Sequence, residues 1–147
     1  MLRAVLDTNV VLAADRASNP LSPNRDIINR WAKGEFIWLV TDDIAGEYAE
    51  KLLEIGNPPS DVEAFLTGLF LLADRVEIRY FHFRHYPVDS DDTIFLLCAI
   101  NGVATHLVSY DIHLFDVGLF YDEFVTCRPT EFLIALRNWI AKPPIAE

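Results

Sequence analysis

Two cysteines in 147 residues leave little room for thiol chemistry. Cys98 lies in the apolar run IFLLCAI and reads as a buried, inert thiol. Cys127 is distant, and with no further Cys and no helical His pair the two make no zinc pattern. A disulfide is not expected in a reducing compartment. Long apolar runs are also missing, and every stretch stops far short of the ~20 residues that a membrane helix needs. Residues 1–15 lack the basic start, apolar run and cleavage site of a secretory signal, because Asp7 and Asp15 interrupt them. These absences lead to the expectation of a cytoplasmic protein with no membrane partner. Basic residues are scarce, 12 Lys and Arg against 22 Asp and Glu, and a net charge of −10 repels nucleic acid on average. A cluster of catalytic carboxylates, neutralised by metal ions when loaded, would account for part of that excess. No repeat, low-complexity segment or long linker divides the chain.

Apolar side chains are plentiful. With 52% hydrophobic residues and ten Phe, the chain can build a core without staples. At this length one domain buries roughly 68–70% of its unfolded surface. The pattern predicts a domain over residues 1–141 and a tail, KPPIAE (142–147), that is frayed or outside the core. SNPLSPN (18–24) and Pro58-Pro59 mark breaks. Between them, strands are expected at RAVL (3–6), FIWLV (36–40), VEIRYF (76–81), THLVS (105–109) and EFVTC (123–127). Helices are expected at Val10–Asp15, Asn24–Lys33, Asp43–Ile55, Asp61–Asp74, Asp92–Asn101 and Thr130–Ala141. Ser60 or Asp61 and Thr130 serve as starts, and Gly34 and Gly102 as stops. Alternation of this kind defines an α/β fold, a central parallel sheet with helices on both faces.

In such sheets ligands gather at the carboxyl ends of the strands. Asp7 directly follows RAVL, and Asp111 follows THLVS after one residue. Asp92 opens the helix leading into that strand, and Glu47 lies one turn into the helix after FIWLV. Four acids from four distant segments therefore point at one rim. Each alone could be a helix cap or a solvated surface acid; their agreement favours a site. Like charges gathered in a fold raise one another's pKa, and such a cluster persists when a cation occupies it. Mg²⁺ or Mn²⁺, which prefer oxygen ligands, fit this donor set. An ion so held can activate water against a phosphodiester, without a covalent protein intermediate.

The same residues carry a family resemblance. LDTNVVL (6–12) resembles the opening of PIN-domain nucleases, where a hydrophobic strand ends in Asp-Thr-Asn or Asp-Thr-Ser. DSDDTIFLLCAINGVATHLVSYD (89–111) is similar to their second half, and RPTEFLIAL (128–136) resembles a Pro-x-Glu-Phe-Leu segment of one bacterial and archaeal branch. In that order the matches cover nearly the whole chain. The resemblance implies a PIN fold over residues 1–141 and divalent-metal endoribonuclease activity on RNA. It further implies the toxin role of a VapC-like toxin–antitoxin pair, with a small antitoxin as partner. By position, Asp7, Glu47, Asp92 and Asp111 match the acidic quartet that holds metal and performs catalysis. Asn9 and Ser109 match polar residues that orient the first and last acids. The DSDD run leaves Asp91 and Asp92 as alternatives, and counting one helical repeat of seven back from Ala99 selects Asp92.

Other side chains carry weaker expectations. His82 and His85, on a strand-like segment, would fall on opposite faces and make a poor metal pair. Arg79 and Arg84 with these imidazoles could contact RNA, with aromatics for base stacking, and His113 could touch substrate through its nearness to Asp111. The stripe AFLTGLFLL suits a core or a homodimer face better than a cofactor box. The competing reading from another class is a non-catalytic domain of the same fold that docks a partner protein; metal-dependent activity discriminates. A haloacid-dehalogenase-like phosphatase needs an Asp where Asn9 stands. A receiver domain needs an acidic pair and a late Lys that are not evident.

Overall fold

The computed structural model describes residues 1–145. Five parallel strands form one sheet: β1 (Arg3–Leu6), β2 (Ile37–Val40), β3 (Asp74–Arg75), β4 (His106–Val108) and β5 (Val125–Cys127). Their order is β3-β2-β1-β4-β5. Ala4, Val5, Leu6, Trp38, Leu39, Val40, Leu107 and Val108 are all fully buried. Apolar residues buried at successive strand positions, not at alternate ones, require cover on both faces.

Seven helices supply that cover: α1 (Thr8–Arg16), α2 (Pro23–Ala32), α3 (Asp42–Glu54), α4 (Pro59–Leu72), α5 (Thr93–Asn101), α6 (Ile112–Gly118) and α7 (Pro129–Ala141). The chain runs outward from β1 to β2 and β3, then returns to the other side of β1 for β4 and β5. Right-handed crossovers therefore place α1 to α4 on one face and α5 and α6 on the other. The α5 helix packs on β1, β2 and β4, whereas α7 packs on β4 and α2. Trp38, Tyr48, Phe95 and Phe132 are the largest fully buried side chains. Burying each such group contributes roughly 1.5–3 kcal/mol. No helix among the described residues is long and apolar enough to cross a membrane.

The third strand departs from expectation. Residues 76–81 do not form it; β3 is only Asp74–Arg75, paired with Leu39 and Val40. After the Val76 N–H reaches the Val40 carbonyl at 2.7 Å, the chain leaves the sheet edge. The Asn101 side chain then takes over the backbone, accepting from Arg79 N and Tyr80 N at 2.8 Å each and donating to Tyr80 O at 3.0 Å. VEIRYF has strand-like composition, but Tyr80 and Phe81 stay exposed, so no burial rewards an extended edge.

Helix ends also differ. Pro59 sits in the first turn of α4, where its fixed φ is already helical, so the helix starts before Asp61 and releases Asp74 to β3. Thr130 is inside α7 and does not cap it: Arg128 is the cap residue, and its N–H reaches Glu131 Oε1 at 3.3 Å. Residues 112–118, outside the expected helices, make the short helix α6. Gly102 follows α5 with φ −85°, so no left-handed turn requires it. A Cβ there would lie 2.8 Å from the Cys98 carbonyl and 2.9 Å from Val76 Cγ2, which is close packing. In the apolar stripe of α4, Leu69 is buried while Phe70, Leu71 and Leu72 are exposed. Lys142 to Ile145 are exposed beyond α7, and the rest of the expected tail, Ala146 and Glu147, lies outside the described residues.

Candidate metal centre

The reversal of strand order falls between β1 and β4, and the acids converge there. Leu6 pairs with Val108. The Asp7 N–H then donates to the Val108 carbonyl at 2.9 Å, which sets Asp7 beside Ser109 at the carboxyl edge. Asp7 occupies the cap position of α1, yet its side chain makes no capping bond. Its Oδ2 accepts from Ser109 Oγ at 2.6 Å. Ser109 Oγ also accepts from the Asp111 N–H at 2.8 Å, and the Ser109 N–H is anchored on the Cys127 carbonyl at 3.0 Å. One fully buried hydroxyl thus ties the end of β1 to the turn that carries Asp111. Asp111 does cap α6, accepting from His113 N at 2.9 Å.

Asp91 and Asp92 both border the cavity but in different ways. A 3₁₀ turn, Ser90–Asp92, precedes α5, and Asp89 Oδ1 accepts from Asp91 N at 3.0 Å. Asp89, two residues before Asp91, is therefore the residue that caps this turn. Asp91 is exposed, whereas Asp92 is buried, on the same side of α5 as Phe95, Leu96 and Ala99. No donor among the described residues reaches Asp92 Oδ2. The group that faces Asp92 is the Asp111 carboxyl, to which it hydrogen-bonds when protonated.

Glu47 arrives through α3. Thr41 caps that helix, accepting from Ile44 N at 3.2 Å. The fully buried Tyr48 hydroxyl donates to the Leu6 carbonyl and receives Trp38 Nε1 at 3.3 Å, which fixes α3 against the end of β1. The neighbouring Glu47 then accepts from Thr8 Oγ1 at 2.5 Å. Sequence reasoning missed Thr8, Tyr48 and Asp89. Thr8 had a signal in the Asp-Thr-Asn triplet, but orientation was assigned to Asn9. Asn9 borders the cavity, is exposed, and makes no side-chain hydrogen bond among the described residues.

Together these residues enclose about 180 Å³, with Asp7, Glu47, Asp89, Asp91, Asp92 and Asp111 all on its wall and Lys51 beside them. Burial is the main cause that raises the Asp7 carboxyl to about 6. The Ser109 hydroxyl and the Thr8 backbone N–H oppose the rise, and the charges of Asp111 and Glu47 add to it. Asp92 is pushed well above the usual carboxylate range by burial first, then by Asp111 and Asp7. Among the described residues no three His, Cys, Asp or Glu side chains make a ready-built metal cage. Mg²⁺ and Mn²⁺ sites seldom need one, since one or two carboxylates with waters and substrate oxygens complete the octahedron. An all-oxygen donor set that includes the unpartnered buried Asp92 Oδ2 fits such an ion.

The weaker candidates separate. The Arg79 backbone docks on Asn101 at the far end of α5 from Asp92, and its side chain pairs with Glu77 at 3.1 Å, so Arg79 stands away from the acids. Arg84 and His113 share another cavity of about 370 Å³ with His85 and Phe120. There Arg84 lies 5.0 Å over the Tyr121 ring and pairs with Glu123 at 2.7 Å, while His85 stacks on Phe120 at 4.0 Å. Residues 82–85 form no strand, so the expected strand faces of His82 and His85 do not exist.

A rim of carboxylates at the switch point of a five-stranded parallel sheet defines the class, an α/β protein with an acidic site at the strand ends. A family model described as the PIN domain matches residues 3–113, β1 through the start of α6, and the chain belongs to the PIN domain family. PIN domains are generally nucleases and typically use divalent metal ions. No curated protein sequence matches the chain. Among solved structures it is similar to a chain of VapBC2 from Rickettsia felis, a complex bound to a DNA fragment from its promoter. That likeness has a TM-score of 0.56 at 10% identity and covers 86% of this chain and 98% of the other. It shows a shared fold.

Proposed function

We propose that the chain is a divalent-metal-dependent endoribonuclease, the toxin half of a cytoplasmic toxin–antitoxin pair. The observation that carries this reading is the Asp7–Asp92–Asp111 group with Glu47: buried Asp7 and Asp92 beside half-buried Asp111 and Glu47, whose mutual repulsion the fold tolerates and a cation relieves. When bound, Mg²⁺ or Mn²⁺ supplies an acidified water and positive charge beside the phosphodiester. The protein's part is positioning. Ser109 fixes the Asp7 carboxylate and the Asp111 turn, Thr8 fixes Glu47, and Asp92 gives up its proton as the site is loaded. Substrate RNA extends from the acids past Asp111 toward Arg84 and His113, where exposed Tyr86 and Phe120 offer ring faces to unpaired bases. Membership of the PIN family supports the nuclease step, and the likeness to a VapBC2 complex supports the antitoxin partner. Exposed Leu71 and Leu72 on α4 provide apolar area for a protein contact, the antitoxin or a second copy of this chain.

The test is cleavage of a single-stranded RNA. Cleavage should require Mg²⁺ or Mn²⁺, stop with EDTA and disappear in Asp7→Asn. RNA left intact by the metal-loaded protein, or cleaved after exhaustive chelation, overturns the reading. The first of those outcomes favours a non-catalytic domain that acts by protein binding.

A further inference from the structure

A cavity walled by six carboxylates is a poor place to bring a phosphodiester. A cation held by these acids would answer part of the repulsion, but substrate must approach past the rim. Among the described residues that line this cavity, Lys51 is the one with a positive charge. Its place follows from α3: four residues after Glu47, it lies one turn further along the same helix face. Its side chain is 41% exposed, so the stem rests on the protein while the ammonium reaches solvent at the rim. Among the described residues the ammonium is held only by Glu54, at 3.3 Å, itself 54% exposed. An exposed pair of that kind contributes ~0–1 kcal/mol and exchanges readily for a stronger anion. The same acids that raise the Lys51 pKa, Glu54 first and then Glu50 and Glu47, keep the ammonium charged.

We infer that Lys51 is a phosphate-binding residue of the substrate track, leaving Glu54 to contact a backbone phosphate of single-stranded RNA as it enters the carboxylate cavity. This rests on the nuclease reading for its substrate. Lys51 carries no proton transfer. It supplies a point charge on a flexible stem, suited to a phosphate of any sequence. The contact lies on the α3 side of the acids, opposite Arg84 and His113, so RNA would be gripped on both sides of the scissile bond.

The test is binding of a fluorescein-labelled oligouridylate by anisotropy, in Ca²⁺ so that turnover is minimal, at a series of salt concentrations. Lys51→Met keeps the stem and removes the charge. Affinity should fall about fivefold at low salt, with the slope of log K against log salt reduced by about 0.7, the value for one phosphate on a single strand. Lys51→Arg should restore both, and Glu54→Gln, which frees Lys51, should tighten binding. Unchanged affinity and slope in Lys51→Met overturn the inference. So does weaker binding with an unchanged slope, which marks a packing effect, and so does a wild-type protein that binds no oligouridylate. Cleavage in Mg²⁺ is run in parallel: binding that depends on Lys51 without cleavage sinks the nuclease reading alone, and cleavage indifferent to Lys51 sinks this one alone.

Discussion

Ser109 Oγ donates to Asp7 Oδ2 at 2.6 Å and accepts from the Asp111 N–H at 2.8 Å, so a single buried hydroxyl sets the separation of two acids 104 residues apart in the chain. Ser109→Ala removes both bonds and leaves Asp7 and the Asp111 N–H without their partner. Activity should fall ~10²-fold, because misplacing a catalytic group by an ångström has that effect. The cost in stability should be about 1–3 kcal/mol, from the unsatisfied buried groups. Steady-state cleavage and a urea melt on the same preparation check both. Wild-type kinetics would show that the acids need no such tether.

Replacing Asp7 or Asp111 by Asn should abolish cleavage, and Asp7→Asn should leave the metal-free fold as stable or more so. Asp7 makes no capping bond, its amide analogue can still accept from Ser109, and a repulsive charge is gone. Asp111 does cap α6, but Asn retains an acceptor for His113 N–H. Thermal melts in EDTA decide the point. A large fall in Tm for both variants would mean that these carboxylates act as structural caps.

Asp92 and its neighbour Asp91 should behave differently. Asp92 is buried against Asp111 with an unpartnered oxygen, and Asp91 is exposed at the rim. Asp92→Asn should lower the rate by ~10²-fold or more, and Asp91→Asn should stay within about tenfold. Kinetics at saturating Mg²⁺ with one RNA would show it. The opposite ranking would mean that the exposed acid is the one that engages the ion.

The pH dependence of the metal-free protein has a definite sign. Asp7 has a folded pKa of about 6 against an ordinary 3.8, so between those values the folded state holds more proton than the unfolded. Its contribution is complete below pH ~4 and is lost as the pH rises through 6, a change on the order of 3 kcal/mol. Asp92, displaced in the same direction, extends the loss to higher pH. Relative to Asp7→Asn, the wild type should lose Tm between pH 4.5 and 6.5 in EDTA. Mg²⁺ should restore it more at pH 7 than at pH 5, since binding must expel protons. Parallel Tm profiles for the two proteins would show that Asp7 titrates normally.

Tyr48 gives a test away from the metal. Tyr48→Phe leaves the Leu6 carbonyl and Trp38 Nε1 without their shared hydroxyl in a fully buried site. Stability should fall by about 1–3 kcal/mol. Activity should fall as well, because α3 loses the bond that sets Glu47 against Thr8. Denaturant midpoints with kcat on the same variant measure both; a loss of stability with kcat unchanged would separate Tyr48 from the site.

The parallel α/β frame and the two acids nearest to it are legible in local pattern alone. Ala4–Leu6 and Leu107–Val108 are buried apolar runs that end their strands, so the acids beyond them, Asp7 directly and Asp111 after Ser109 and Tyr110, emerge at the carboxyl edge. Burial imposes that pattern locally, one residue at a time, and it can be read without knowing what packs on what. The helix phase that favoured Asp92, counted one repeat of seven back from Ala99, is of the same kind. The rest came from packing between distant segments. VEIRYF looked like a strand, yet β2 presents only two residues for pairing at that edge and no layer covers Tyr80 and Phe81, so Asn101 claims the backbone instead. Thr8, not Asn9, meets Glu47, because Tyr48 fixes the angle at which α3 docks on β1. Arg79 and Arg84, five residues apart, were sent to separate places, beside Glu77 and over Tyr121, by a segment with no regular period. Those outcomes rest on contacts between distant segments, whose geometry no local pattern encodes.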